Sequence, residues 1–233
     1  MRKLIARLQN EIYKYSETEH LIDTVAIISR PTYLHCLRVM GYSALVCALD
    51  DDLPEYYKRD IVVSALLHDV GKVKINPVIR KATVLDEDDW QKIRQHPELG
   101  YLLCAGRFSE IVLNGIKYHH ERLDGSGYGT GISGEQVPIE ARIIAVCDAF
   151  DAMTSNRLYK ESVKREEAFL QLDNEVAQGK YDGRYVEMLK DVVYNHDIVS
   201  MDTIPIARNK IFVPEGEEFS IEKIILATML KCV

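Results

Sequence analysis

This sequence has few of three features: paired cysteines, basic clusters and long apolar runs. Its five cysteines are odd in number and form no CxxC pair, which favours small core residues in a reducing cytoplasm over a disulfide framework. The net charge of −7 argues against a protein that coats a nucleic-acid polymer, because such a protein carries a basic stripe. We find no apolar run approaching the ~18 residues that a membrane span needs, so no membrane association is expected.

The remaining composition, 47% hydrophobic and 28% charged, is that of an ordinary soluble protein. A chain of 233 residues is long enough for one core and a small appendage. We predict an all-α fold with an N-terminal helical segment at 1–30, a main helical domain at 31–195 and a small C-terminal α/β appendage at 196–233.

Apolar periodicity and helix-start signals place the elements. Helices are predicted at 2–28 with a break near Ser16–Glu19, and at 31–49, 54–69, 139–155, 162–178 and 182–195. Pro31 and Pro54 suit first turns, while Asp86 and Ser109 suit N-caps. The segment from Val70 to Leu85 is expected to be broken by its glycine and proline. Five glycines make 122–137 a loop, and the tail shows β-like runs at 203–206, 210–213 and 219–221 before a helix at 221–231.

Five of the seven histidines form an ordered series with two aspartates along the helical part of the sequence. The series is His35, His68-Asp69, His96, His119-His120 and Asp148. A single histidine on a helix is more often a structural residue, but helix geometry gives no structural reason for the adjacent polar pairs. Imidazole and carboxylate donors, one from each helix of a bundle, indicate a two-metal hydrolase site that suits iron, manganese, zinc or similar ions.

The motifs around these residues resemble those of the HD-GYP family, a branch of the HD-domain metal phosphohydrolases, from about residue 31 to 191. The matching pieces are His68-Asp69-Val70-Gly71-Lys72, His96-Pro97-Glu98-Leu99-Gly100, the string from His119 to Tyr128, Ala141-Arg142-Ile143, the stretch from Asp148 to Thr154, and Arg157-Leu158-Tyr159. The resemblance implies an HD-type helical bundle and a substrate of cyclic di-GMP, opened to linear pGpG and sometimes cut on to GMP. Some relatives act on cyclic GMP-AMP.

The resemblance also implies roles for individual residues. One metal would be held by His35, His68, Asp69 and Asp148, and the other by His96, His119 and His120, with Asp69 bridging. Lys72 would contact the scissile phosphate. The mechanism expected is in-line attack by a metal-bridging hydroxide, with Asp69 and Lys72 as the catalytic residues.

Three departures from the family pattern qualify these expectations. Gly129 replaces the proline of the namesake motif, which puts the ordering of that loop around substrate in doubt. Pro31 occupies the position of a glutamate ligand found in three-metal members, so we predict two divalent ions, iron or manganese. The stretch after Lys74 is shorter than usual, which leaves Lys81 as a weakly supported phosphate contact.

Several alternatives stay open. Arg122 and Arg142 suit a second phosphate or a guanine edge, or else structural ion pairs, and Tyr128 suits base stacking or packing within the loop. The chain is predicted to be a cytoplasmic phosphodiesterase, either as a homodimer or with a regulatory partner. The two rival functions are hydrolysis of another nucleotide, and a metal-containing module that binds a cyclic dinucleotide or a partner protein without turnover.

Overall fold

A computed structural model describes residues 16–79, 85–155, 162–195, 206–207, 210–212 and 218–219. These residues are mainly helical, which confirms the all-α prediction. The helices are α1 (Ser16–Ile28), α2 (Arg30–Leu49), α3 (Glu55–Leu67), α4 (Asn76–Ile79), α5 (Glu87–Ile93), α6 (His96–Cys104), α7 (Glu110–Tyr118), α8 (Ile139–Thr154), α9 (Arg165–Ala177) and α10 (Gly183–Asn195). Two 3-10 segments cover Val70–Ile75 and Gly134–Gln136.

The predicted helix starts are confirmed by their capping contacts. The Ser29 side chain accepts a hydrogen bond from the backbone of Thr32 at the start of α2. Asp86 and Asp89 form a reciprocal capping box before α5. The Ser109 hydroxyl accepts from the Val112 amide and so caps α7. These contacts satisfy amides that have no partner within the helix, which is why polar residues mark the boundaries.

One local prediction stays untested and another needs correcting. Helix α1 begins at Ser16, the first described residue, and continues through Glu19, so the break predicted near these residues stays a prediction. The segment after Asp69 forms the 3-10 helix Val70–Ile75 followed by α4, and Pro77 lies in the first turn of α4, where proline needs no amide partner. The N-terminal part of the predicted first helix lies outside the described residues.

Helix α2 runs through the middle of the bundle and packs against α1, α3, α8 and α10. This helix has 20 residues and a mean hydropathy of 1.2, so by length and composition it could span a membrane. The expectation that no apolar run is long enough for a membrane span was therefore wrong. However, 67% of its apolar stretch is buried inside the bundle, where it serves as a core helix. Leu21, Ile22 and Val25 of α1 join the same core.

The core brings the ends of several helices to one place. Helix α3 packs on α2 and α7, α6 packs on α7 and on the first 3-10 segment, and α8 packs on α2 and α7. The fully buried side chains include Ile61, Leu66, Ile116, Ile143 and Phe150. This packing fixes the relative positions of residues that are far apart in sequence.

Part of the tail has the predicted β character. Strands β1 (Ile206–Ala207), β2 (Lys210–Phe212) and β3 (Glu218–Phe219) form an antiparallel sheet in the order β1-β2-β3. Ile211 is the register partner of both Ile206 and Phe219. The helix predicted at 221–231 lies outside the described residues.

Candidate metal centre

Three histidines follow helix ends and are oriented in the same way. In each case the ring Nδ1 is hydrogen-bonded to the backbone carbonyl three residues earlier in the chain. The pairs are His68 with Ala65 at 2.7 Å, His96 with Ile93 at 2.7 Å and His119 with Ile116 at 2.8 Å. Carbonyls in the last turn of a helix have no amide partner within that helix, so the ring N–H of a following histidine can donate a hydrogen bond to one of them.

These bonds direct the Nε2 lone pairs into the protein. A carbonyl can only accept, so Nδ1 carries the proton and Nε2 of the neutral ring is left as an acceptor. The Nε2 atoms of His96 and His119 face each other at 3.1 Å, and Asp69 Oδ1 lies 3.1 Å from His96 Nε2. Three acceptors at this separation repel one another unless a cation lies among them, and ligands about 2.1 Å from one ion have similar separations.

Two separate groups of metal-ligating side chains are formed. In each group the ligand atoms lie within 4.8 Å of one another. The first group is His35, His68 and Asp148, and the second is His96, His119 and His120. In the first, His35 Nε2 is 2.9 Å from Asp148 Oδ1 and 3.3 Å from His68 Nε2.

The carboxylate of Asp69 lies between the two groups. Its Oδ1 faces His96 at 3.1 Å, while its Oδ2 is 3.6 Å from His68 Nε2 and 3.7 Å from His35 Nε2. Asp69 is 1% exposed, so its charge is withdrawn from water, and the ammonium of Lys72 beside Oδ2 supplies one compensating positive charge. One oxygen toward each group is the arrangement by which a carboxylate bridges two ions.

The electrostatics keep most donors in the form that binds metal. Burial lowers the pKa of His68, His119 and His120, so these rings are neutral at neutral pH. Burial opposes ionisation of Asp69, but Lys72 and the neighbouring imidazoles hold the pKa of that carboxyl well below its usual range. Ionised carboxylates and neutral imidazoles are the donor forms that divalent metals require.

His35 is the exception among these donors. Burial lowers its pKa, but hydrogen bonds with Asp148 and Asp151 outweigh burial and raise the pKa to about 9. The ring is therefore protonated at neutral pH when no metal is bound. A metal ion would take the place of the Nε2 proton.

Cys36 lies against the first group. Its sulfur is within 4.8 Å of ligand atoms of His68 and Asp69. Burial and the charge of Asp69 raise the pKa of this thiol well above its ordinary value, so Cys36 stays a neutral thiol.

Lys72 is at the centre, whereas the two arginines are engaged elsewhere. Lys72 Nζ lies 2.5 Å from Asp69 Oδ2, and its side chain is 23% exposed. Arg122 donates to the carbonyls of His119 and Glu121. Arg142 donates to Val137 and Gly134 carbonyls and pairs with Asp182 at 3.3 Å. These contacts favour a structural role for both arginines over a contact with a phosphate or a guanine edge.

The loop that follows the histidine doublet is folded back on the centre. The Tyr128 ring stacks on the ring of His120, so this tyrosine packs within the site. Gly129 has a φ of +129°, which proline cannot adopt because its ring fixes φ near −65°. Glu121 Oε1 accepts hydrogen bonds from the amides of Thr130 and Gly131, so the loop is ordered without the proline. Lys81 and Arg157 lie outside the described residues.

Sequence reasoning missed Asp151 and Glu121. Asp151 is completely buried and lies 2.6 Å from His35 Nδ1. A signal was present, because Asp151 follows Asp148 by one helical turn and so shares its helix face. Glu121 follows the histidine doublet, but nothing in the sequence indicates that it anchors the loop ahead.

Two glycines allow the motif that begins at His68 to lie directly against the motif that begins at His96. A Cβ at Gly71 would be 2.0 Å from the carbonyl oxygen of His96 and 2.5 Å from the amide nitrogen of Gly100. A Cβ at Gly100 would be 2.8 Å from the side chain of Ile116. The missing side chains let the 3-10 segment touch the start of α6, which brings Asp69 beside His96.

The chain matches the model of the HD domain family over residues 4–185. It is 43% identical over 130 residues to the cyclic di-GMP phosphodiesterase response regulator RpfG of Xanthomonas campestris, covering 54% of this chain and 34% of that protein. It is 34% identical over 146 residues to the 3'3'-cGAMP-specific phosphodiesterase 2 of Vibrio cholerae, covering 61% of this chain and 28% of that protein. The chain thus spans about a third of the length of these relatives.

The fold comparison agrees with the sequence comparison. The structure of the cyclic GMP-AMP specific phosphodiesterase V-cGAP3 of Vibrio cholerae superposes with a TM-score of 0.57 at 22% identity, covering 76% of this chain and 49% of that chain. At that identity the likeness establishes the helical fold. The family match, the motifs and the fold together show that this chain belongs to the HD-domain family, in its HD-GYP branch.

Proposed function

We propose that this chain is a metal-dependent cyclic dinucleotide phosphodiesterase that hydrolyses cyclic di-GMP to linear pGpG. The observation that carries the proposal is the position of Asp69, whose two carboxylate oxygens face two different groups of buried ligands. Relatives named as cyclic di-GMP phosphodiesterases support the substrate class. The buried thiols of Cys36, Cys47 and Cys147 support a cytoplasmic location.

The donor set suits two divalent ions, for which we propose iron or manganese. His35, His68 and Asp148 would hold one ion, and His96, His119 and His120 the other, with Asp69 shared. When bound, such a pair lowers the pKa of a bridging water and stabilises the charge that develops on phosphoryl oxygens. His35 would give up its Nε2 proton on loading, and the neutral rings of His68 and His119 would bind without losing one.

Lys72 is the proposed contact for the scissile phosphate. Its ammonium group donates a hydrogen bond to Asp69 Oδ2, so it lies beside the two groups of proposed ligands. A phosphate bound at this centre would lie within reach of the Lys72 ammonium. Its partly exposed side chain lets it reach substrate without unfolding of the site.

The test is turnover of cyclic di-GMP by protein purified without oxygen and reloaded with Fe²⁺ or Mn²⁺. Asp69→Asn removes one bridging oxygen and the charge, while Asp173→Asn makes the same change at a surface ion pair with Lys190. We expect pGpG from the wild type and from Asp173→Asn, and a loss of about 100-fold or more in Asp69→Asn.

Two other results would point to the alternatives. Hydrolysis of cyclic GMP-AMP but not of cyclic di-GMP would assign to this chain the substrate named for its Vibrio cholerae relative. Binding of two metals and a cyclic dinucleotide without any product would defeat the enzymatic proposal and favour a binding module. Homodimer formation or a regulatory partner stays a prediction.

A further inference from the structure

The proposed ligand histidines are held in two different ways. Nδ1 of His68, His96 and His119 bonds to an uncharged backbone carbonyl. Nδ1 of His35 bonds instead to the carboxylate of Asp151, at 2.6 Å. Asp151 is completely buried, so this contact is shielded from water.

Asp151 is itself fixed from two sides. Arg38 Nε and Nη2 donate to its two oxygens at 2.5 and 3.0 Å, and the Ser155 hydroxyl donates at 3.1 Å. Arg38 lies one turn after His35 on α2, and Asp151 lies one turn after Asp148 on α8. Helices α2 and α8 therefore face each other through two pairs of side chains. His35 and Asp148 form the pair at the centre, and Arg38 and Asp151 form the pair immediately behind it.

The two metal positions consequently differ in charge. The first group contains the Asp148 carboxylate and an imidazole backed by a second carboxylate, whereas the second group contains three imidazoles, and the two groups share Asp69. A carboxylate behind a ligand histidine fixes the ring orientation and increases the electron density at the metal-binding nitrogen. Greater negative charge at the first group favours a divalent cation there.

We propose that Asp151 is a positioning residue that acts through His35 and makes the ion at the first group the more tightly bound of the two. This inference rests on the two-ion centre of the proposed function. It predicts stepwise loading, in which the position formed by His35, His68 and Asp148 fills first. The position formed by the three remaining histidines fills second and loses its ion first.

The experiment is a calorimetric titration of the metal-free full chain with Mn²⁺. The wild type should show two binding events, and His120→Ala should remove the weaker one. Asp151→Asn should weaken the tighter event by about 10–100-fold. Asp173→Asn is the matched control, because it makes the same change at an exposed ion pair, and it should bind Mn²⁺ as the wild type does.

A double-mutant cycle separates positioning from a general effect on folding. In a His35→Ala background, Asp151→Asn should change the Mn²⁺ affinity by less than about 2-fold, because the residue through which it acts is gone. Should Asp151→Asn prove unable to fold, Arg38→Gln leaves the carboxylate in place but less anchored, and should weaken the same event by a smaller factor.

Unchanged Mn²⁺ affinity in folded Asp151→Asn would overturn the inference, as would an equal loss of affinity in the His35→Ala background. A lower melting temperature of metal-free Asp151→Asn with unchanged affinity would show a merely structural role and would overturn it too. Normal stepwise binding without cyclic dinucleotide hydrolysis would defeat the proposed function alone. Full turnover with equal binding in the variant would defeat this inference alone.

Discussion

The ring of Tyr128 stacks on the imidazole of His120, with centroids 4.5 Å apart and 24° between the planes. His120 belongs to the second group of proposed ligands, and its ring centroid is 4.1 Å from that of His119. The glycine-rich loop therefore supplies a side chain that restrains a proposed ligand. The sequence left open whether Tyr128 stacks on a base or packs within the loop, and in the structure its ring stacks on a histidine.

Replacing Tyr128 tests this restraint. Tyr128→Leu should weaken binding of the second Mn²⁺ by about 3–10-fold, since aromatic pairs contribute about 0.5–1.5 kcal/mol beyond burial. Tyr128→Phe keeps the ring and should bind both ions as the wild type does. Calorimetric titration measures both variants, and equal affinity in the leucine variant would show that the stacking does not orient His120.

Gly129 and Gly131 offer a matched pair of alanine substitutions in one loop. Both have a positive φ, of +129° and +77°, but a Cβ at Gly129 would lie 3.0 Å from Glu121 Oε1, while a Cβ at Gly131 meets nothing within 4 Å. We expect Gly129→Ala to lower the free energy of unfolding by about 2–3 kcal/mol and Gly131→Ala by about 1 kcal/mol. Denaturant unfolding measures both, and equal losses would contradict a role for the Glu121 contact.

Gly71→Ala should separate the two halves of the centre. The added Cβ collides with backbone atoms of His96 and Gly100, which cannot move aside as a flexible side chain can. We expect the free energy of unfolding to fall by about 2–4 kcal/mol and the second ion to bind more weakly, because Asp69 moves away from His96. Gly106→Ala is the comparison, because its Cβ would meet nothing within 4 Å; its φ of +75° should cost about 1 kcal/mol of stability and leave metal binding unchanged. Wild-type stability and metal content in Gly71→Ala would refute the close-approach argument.

Metal binding should release a proton from His35. The pKa of this ring is raised to about 9, so it is protonated at pH 7 without metal, whereas the lowered pKa values of His68 and His119 leave those rings neutral. Affinity at the first group should therefore rise about tenfold per pH unit up to about pH 9 and then level off. Titrations between pH 6.5 and 8.5 in buffers of different ionisation enthalpy measure the release. Binding independent of pH over this range would contradict the His35 assignment.

The helices were largely predictable because their boundaries depend on local chemistry. Asp86 and Ser109, both predicted as N-caps, cap helices through contacts within three residues, whereas Ser29 caps α2 without having been predicted. The start of the second helix agrees within one residue, because Pro31 suits only a first turn. The break predicted near Ser16 coincides with the first described residue of α1, so it stays a prediction.

The functional residues were predictable as types but not as contacts. The order of His35, His68-Asp69, His96, His119-His120 and Asp148 indicated a two-metal site, and the structure brings all seven together. By contrast, the partners of Arg122 and Arg142 depend on carbonyls and a carboxylate supplied by other segments, so the sequence could not distinguish substrate contacts from structural ones.

The sequence by itself determined the all-α class, the family and the set of candidate metal-ligating side chains, because helix signals and motifs are read over short spans. Only the tertiary structure decided which oxygen of Asp69 faces which group, that Gly71 lies against His96, and that Asp151 stands behind His35. Gly71 and His96 are 25 positions apart in the chain and His35 and Asp151 are 116 apart, so the packing of α2, α6 and α8 sets these distances. The types of side chain follow from the local sequence. Their division into two groups with different donors, on either side of Asp69, follows from packing between distant segments.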